Sequence, residues 1–288
     1  MILCVNFTTL SAQGNALNLD GVNDYINVPN ASAYNFSKFT FETWLLWNPT
    51  NANDLQFLSS KGFEIMELHT SSIGVNSLRF IPTTGVFLDA TNVLTPGRWQ
   101  HIACVYAPSL SLAKMYINGV EVVLTNNGAN PLSTAITNNN NAINLGRRAD
   151  ASFYLKGSLD EVRIFNTVRS SSEVYADMIS SIPPSTPNLI TYYNFNTGAA
   201  SGNNVGATSV TDLSTNANNA VIINAALTGN TSNWVESYAM VVPTATAATN
   251  VSGTSFTANW VASALGTVDN YFLYVSTTAD FASFVSGY

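Results

Sequence analysis

Between residues 16 and 166 the chain alternates short runs of β-branched and aromatic residues with breaks of Asn, Gly, Pro and Ser. The breaks recur about every ten residues, a spacing that marks an antiparallel all-β sandwich rather than alternating strands and helices. Strands are predicted over 16–19, 25–28, 39–47, 55–59, 63–69, 77–81, 99–106, 114–117, 120–124, 143–145 and 159–166. In 39–47, alternation puts Phe39, Phe41, Thr43, Leu45 and Trp47 on one face. Asn118-Gly119 stands between two strand runs, the strongest short hairpin signal a sequence carries. The stretch from Gly157 to Asn166 predicts a strand with Leu159, Glu161, Arg163 and Phe165 on one face and Asp160, Val162, Ile164 and Asn166 on the other. If both faces are buried, Asp160 and Glu161 need cations, backbone donors or a metal, because an unpaired buried carboxylate is strongly disfavoured.

One segment asks to be a helix. Ser170 and Glu173 have capping-box spacing, and Val174, Met178 and Ile179 follow at helical intervals. A helix this short is expected to pack on the sandwich as a cap. The prolines of 182–187 then mark a linker or tight crossover. Beyond it, β character resumes at 189–195, 220–223 and 234–235, and a second boundary falls at Val242-Pro243. After that boundary, 256–261 and 270–275 alternate cleanly and predict neighbouring strands of a new sandwich.

Composition bears on partners and compartment more than on fold. Hydrophobic residues make up 46% of the 288 and aromatics 11%, ample for a core, while charged residues are only 9%. The polar surface must therefore come from Asn, Ser and Thr, a balance that suits secreted β-proteins. Ten Lys and Arg against 17 Asp and Glu give a net charge of −7 with no basic cluster, which argues against nucleic acid as a partner. No apolar stretch approaches the roughly 18 to 20 residues that span a bilayer, so a soluble mature protein is expected. Residues 1–13 read as the remnant of a signal peptide cleaved near Ala12 or Gln13; the alternative is an ordinary first strand. If Cys4 leaves with that segment, Cys104 remains as a lone buried thiol.

Several motifs occur in a family's order. They are Leu-Asp-Gly-Val-Asn-Asp-Tyr-Ile (19–26), Phe-Thr-Phe-Glu-Thr-Trp (39–44), Gly-Arg-Trp-Gln-His-Ile-Ala (97–103), Met-Tyr-Ile-Asn-Gly (115–119), Ile-Asn-Leu-Gly (143–146) and the run 157–166. On these residues the chain resembles the laminin-G-like, concanavalin A-like jelly-roll family over 16–181. The resemblance implies an antiparallel two-sheet jelly roll with roughly six or seven strands in each sheet. The stretches 188–196 and 212–219 resemble an element that often opens domains of this family. Here it follows the sandwich, so 182–241 is expected to be a linker with strands added to the jelly roll, or else the start of an incomplete second domain. Residues 243–288 resemble the first half of a fibronectin type III domain, a partial immunoglobulin-like sandwich with Trp260 at its core position.

Related jelly rolls include laminarinase-type glycoside hydrolases, whose acids alternate on one strand. The nearest match here is Glu64 and Glu67, which are three residues apart and so face opposite sides of a regular strand, with Met66 in place of a middle acid. Two solvent-edge glutamates are the preferred reading. With His69 and His101 as the only histidines and no nucleophile elbow, phosphate loop or Cys/His metal spacing, no catalytic constellation is visible. Calcium wants about six to eight oxygens. Asp20, Asp24 and Asp160 are the candidates, because the resemblance places the first strand pair beside the 157–166 strand and implies a structural calcium nearby. Against this stands a plain reading in which Asp20 and Asp24 form Asx turns and Asp160 caps a turn amide. The alternating oxygens of Asp212, Ser214, Asn216 and Asn218 lack the glycine and the final glutamate of a calcium loop and read as an Asn-rich turn. Asn138–Asn141 reads as a mobile loop tip. For sugar binding, Tyr34, Trp47, Phe153 and Tyr154 lie near predicted loops or strand ends, although packing is the commoner role of any aromatic. The function expected is a non-catalytic recognition module on a secreted or cell-surface multidomain protein, binding carbohydrate or a surface protein in adhesion. An accessory domain of a glycoside hydrolase and a stalk spacer are the alternatives.

Overall fold

The computed structural model describes residues 14–50, 55–62, 67–71, 74–240, 244–250, 252 and 256–261. The chain opens with β1 (Asn15–Asp20) and β2 (Tyr25–Val28), makes a 3-10 turn at Ser32–Tyr34, and enters the long β3 (Phe39–Trp47). Next come β4 (Phe57–Lys61), β5 (Glu67–Ser71), β6 (Ser77–Ile81), β7 (Leu88–Ala90) and the second long strand, β8 (Trp99–Ala107). β9 (Leu112–Ile117), β10 (Val120–Glu121), β11 (Thr125–Asn126), β12 (Ile143–Leu145) and β13 (Lys156–Phe165) lead to helix α1 (Ser171–Ile179). The chain continues through β14 (Leu189–Tyr193), β15 (Ser209–Val210), β16 (Ala220–Ile223), β17 (Trp234–Glu236), β18 (Thr244–Thr249) and β19 (Thr257–Val261). The 1–13 segment, Glu64 and 270–275, on which expectations were placed, lie outside the described residues.

The sandwich has an eight-stranded sheet in the order β10-β9-β8-β3-β13-β1-β17, with β14 also on β13, and a nine-stranded sheet in the order β11-β7-β6-β5-β4-β12-β2-β16-β15. Every pairing in it is antiparallel, as the fold class requires. Strands β14 to β17 enter both sheets, through β13 and β1 in one and through β2 in the other. β18 and β19 form a separate two-stranded sheet. As alternation predicts, Phe39, Phe41, Leu45 and Trp47 of β3 point into the core with Ile26, Phe80, Leu145 and Trp234. Asn118 and Gly119 both take positive φ between the paired Ile117 and Val120, the geometry of a primed hairpin turn. The strand predicted over 120–124 is shorter in the structure, pairing with β9 only at Val120–Glu121, after which the chain crosses to β7 in the other sheet at Thr125–Asn126.

β13 departs from regular alternation. Its register opposes Asp160 to Trp44 and Arg163 to Glu42, so that Glu161 and Val162 together face the single residue Thr43. Glu161 takes a φ of 51°, and the bulge falls where β13 changes neighbour, from β1 at Leu159 to β14 at Val162. The expected faces are therefore corrected: Leu159 joins Val162 and Ile164 in the core, and Phe165 packs outside with Leu189 and Tyr192. Gly157 is needed where β13 meets β3, since a Cβ there would stand 2.2 Å from the Leu46 carbonyl oxygen.

The charges freed from the core collect on the outer face of the eight-stranded sheet, under α1. Arg163 donates to Glu161, to the Asp177 carbonyl and, at 3.0 Å, to the Ser180 carbonyl. The Tyr192 hydroxyl donates to the same Glu161 carboxylate at 2.6 Å. The helix starts as its sequence dictates, with Ser170 and Glu173 in reciprocal capping-box bonds, and Val174 packs on Ala103, Val105 and Tyr116. Glu42 and His101 lie beside this cluster, fully buried and 3.6 Å apart, with no hydrogen-bond partner for either side chain among the described residues.

Candidate functional site

The outer face of the nine-stranded sheet is identified by subtraction. Ile26, Leu58, Leu78, Phe80, Leu88, Leu145 and Ile222 point into the core, so their alternates face outward. Cross-strand register then lines up one row, since Phe57 opposes His69, His69 opposes Arg79 and Arg79 opposes Asp89. On the other side of Phe57, the Arg147-Arg148 pair follows β12, and Tyr25 opens β2. Crossing from β7 to β2 at about 4.8 Å per strand, the row is roughly 24 Å long.

Its centre is a stack of rings. Phe57 lies over His69 with centroids 4.5 Å apart and planes at 18°, and Phe153 lies 6.0 Å from Phe57 with planes at 26°. Phe153 is 41% exposed and takes a φ of 54°, left-handed backbone that a bulky residue enters only at a cost of about 1–3 kcal/mol. The cost is met by a loop that grips both ends of the turn. Phe57 N–H donates to the Phe153 carbonyl at 3.0 Å, Arg148 N–H donates to the Ser152 carbonyl at 3.0 Å, and Leu155 N–H donates to the Gly146 carbonyl at 2.8 Å. Ala151 in the same loop is also left-handed.

The polar groups of the row fall into two kinds. Arg79 is held by Asp89 in a two-pronged pair at 2.7 and 2.8 Å, and Asn127 donates to the same carboxylate at 2.6 Å, so this end is internally neutralised. At the other end, Arg147 stacks its guanidinium 3.7 Å above the Tyr25 ring, while Arg148 lies 5.7 Å from the Phe57 centroid and 6.0 Å from that of Phe153. Asn27 and Asn144 bond across adjacent strands beneath them at 3.2 Å. His69 contacts the Thr70 carbonyl through Nδ1 at 2.7 Å, which places the proton on Nδ1 and leaves Nε2 as an acceptor. Burial lowers its pKa to about 4, so the ring stays neutral under physiological conditions. Aromatic stacking with amide and guanidinium donors is equipment for holding a polyhydroxylated ligand.

The sequence-predicted aromatics divide. Tyr34 and Trp47 are corrected: both are core residues, 0% and 1% exposed. Tyr34 bonds its hydroxyl to Thr191 at 2.6 Å, and Trp47 ends the inward stripe of β3. Phe153 reaches the row, with Tyr154 half-buried next to it. Tyr25, Phe57, His69, Arg79 and Arg147 were not among the predicted residues. The one sequence signal was Arg147-Arg148, the single basic dipeptide in a chain with ten Lys and Arg residues.

The expected trio Asp20, Asp24 and Asp160 does not assemble, and among the described residues no group of three or more His, Cys, Asp or Glu is placed to hold a metal. β1 pairs Asp20 with Lys156, four residues along β13 from Asp160, which is roughly 13 Å of strand. Asp160 instead accepts from Glu161 N–H at 2.7 Å and from the Ser237 hydroxyl. Asp20 and Asp24 do share a turn, in which Asp20 accepts from Val22 N–H at 2.8 Å and Asp24 from Asp20 N–H at 3.1 Å. Asp212 accepts from the N–H groups of Tyr192, Ser214 and Asn218, closing the Asn-rich turn read from sequence. The loop tip at 138–141 is structural, since Asn138 clasps both backbone groups of Phe36 and Asn139 takes the buried Lys61 ammonium.

Residues 20–175, more than half of the chain, match the family described as the concanavalin A-like lectin/glucanases superfamily. The chain belongs to this superfamily. Its two-sheet sandwich agrees with a solved structure of a candidate carbohydrate-binding protein from Bacteroides ovatus, at a TM-score of 0.54 and 19% identity. That match covers 74% of this chain and 59% of the other, and the likeness is one of fold. A heptameric SAP-like pentraxin from Limulus polyphemus aligns at a TM-score of 0.41 and 12% identity, over 60% of this chain and 84% of that one. Domain 4 of an extracellular arabinanase from Geobacillus stearothermophilus, solved with arabinotriose, aligns at 0.41 and 20%, over 56% and 75%. No curated protein matches the chain in sequence.

Proposed function

We propose that the chain is a non-catalytic glycan-binding module of a larger secreted or cell-surface protein, and that its ligand lies along the Tyr25-to-Arg79 row. The observation that carries this reading is Phe153, an exposed aromatic ring held in strained backbone against a stack of two further rings. Strain of this kind persists where the surrounding structure maintains it, and it clusters at ligand sites. A sugar ring laid on Phe153 would bury apolar CH groups while its hydroxyls meet the partly exposed arginines alongside.

Glycan-array screening followed by calorimetry tests the proposal. Phe153→Ala is expected to weaken binding about tenfold, equivalent to about 1.4 kcal/mol, without lowering the unfolding midpoint. An array with no hits would sink the glycan reading and leave a stalk spacer in its place.

A further inference from the structure

We infer that the ligand of this row carries a carboxylate, and that Arg147 is the residue that selects it. This inference rests on the glycan-binding reading of the same face. Arg147 Nε has no hydrogen-bond partner among the described residues, and Nη2 reaches only Asn144 Oδ1, at the outer limit of 3.5 Å. No carboxylate among the described residues pairs with it, in contrast to Arg79, which is saturated by Asp89. The Tyr25 ring lies 3.7 Å from the guanidinium carbon, and because Nε is buried, the edge left for a ligand is the one formed by the two Nη groups. A planar fork fixed in this way matches a carboxylate in two parallel N–H···O bonds, and holding it in place beforehand reduces the entropy lost on binding. Of the three arginines on this row, Arg79 is paired with Asp89 and Arg148 with Asp150 at 3.4 Å, so the one without a carboxylate partner among the described residues is Arg147.

Sugars bear carboxylates either as uronic acids within a chain or as terminal sialic acids, and the same fork serves both. The test compares, by calorimetry, an oligogalacturonate with its methyl-esterified form, and a sialylated oligosaccharide with its neutral parent. In one of these pairs the free acid is expected to bind about tenfold tighter, a gap that narrows as salt rises. The pair that shows the gap identifies the source of the carboxylate. Arg147→Gln is expected to abolish the gap by weakening the free acid about tenfold more than its uncharged partner. Arg147→Lys, which keeps the charge and the stem on Tyr25 but loses the fork, is expected to retain only part of it. Equal affinity for acid and uncharged partners in both pairs, with Phe153-dependent binding intact, would overturn the inference and spare the glycan reading. So would a sulfated glycan that binds tighter than either acid. Loss of all Phe153-dependent binding would remove both.

Discussion

Glu42 has no hydrogen-bond partner among the described residues, and burial raises its pKa to about 7 against the pull of Arg163 and Arg169. The folded protein therefore holds a proton there that the unfolded chain, with a glutamate pKa of about 4.3, has already released. Stability from this group is present below that unfolded value and is lost as pH rises towards 7. His101 behaves in the opposite sense. Burial lowers it to about 3, so its contribution is present above an unfolded pKa of about 6.5 and is lost as pH falls. Their 3.6 Å approach is accordingly a contact of neutral groups near pH 5 rather than a salt bridge. Glu42→Gln should leave stability at pH 4.5 unchanged and raise it at pH 8, by up to about 3 kcal/mol. Urea melts of the two proteins that stay parallel from pH 4.5 to 8 would refute this account. Asp24 is also pushed up, mainly by burial, and a cation at its turn would offset that cost. If a cation does bind at this turn, millimolar calcium should raise the unfolding midpoint and Asp24→Asn should remove the increment; an unchanged melt in EDTA would exclude it.

At the scale of elements, α1 is short and owes its place to its first turn and to what it covers. Replacing Ser170 with Ala removes the acceptor for Glu173 N–H and should cost about 1 kcal/mol, or roughly 2–4 °C in midpoint. A larger loss is expected in local hydrogen exchange at Trp44, whose indole donates to the Met178 carbonyl at 3.1 Å. Both the helix and its capping box were legible in sequence, because capping chemistry is local. The Glu161 bulge was not. A regular strand and a bulged one have the same composition, and the choice depends on β13 having β1 along one half of an edge and β14 along the other. The same dependence misled the reading of Tyr34 and Trp47, which sit near strand ends but are covered by the second sheet.

For the whole molecule, the superfamily match ends at residue 175, while the sandwich takes strands from beyond residue 188. Tyr193, Ile222 and Trp234 from that later stretch are core residues. Losing several such side chains at about 3–5 kcal/mol each exceeds a typical net stability of about 5–15 kcal/mol. A chain ending at residue 181 should therefore lack cooperative unfolding and bind hydrophobic dye, and a dispersed NMR spectrum from that fragment would contradict this. The sequence alone determined the all-β class, the β3 stripe, the Asn118-Gly119 hairpin and the capped helix, since each rests on contacts between residues near in the chain. Tertiary structure alone decided the rest, because the row from Tyr25 to Arg79 is assembled by register between strands far apart in sequence. The Arg147-Arg148 pair acquires its setting only where β2 and β4 flank β12.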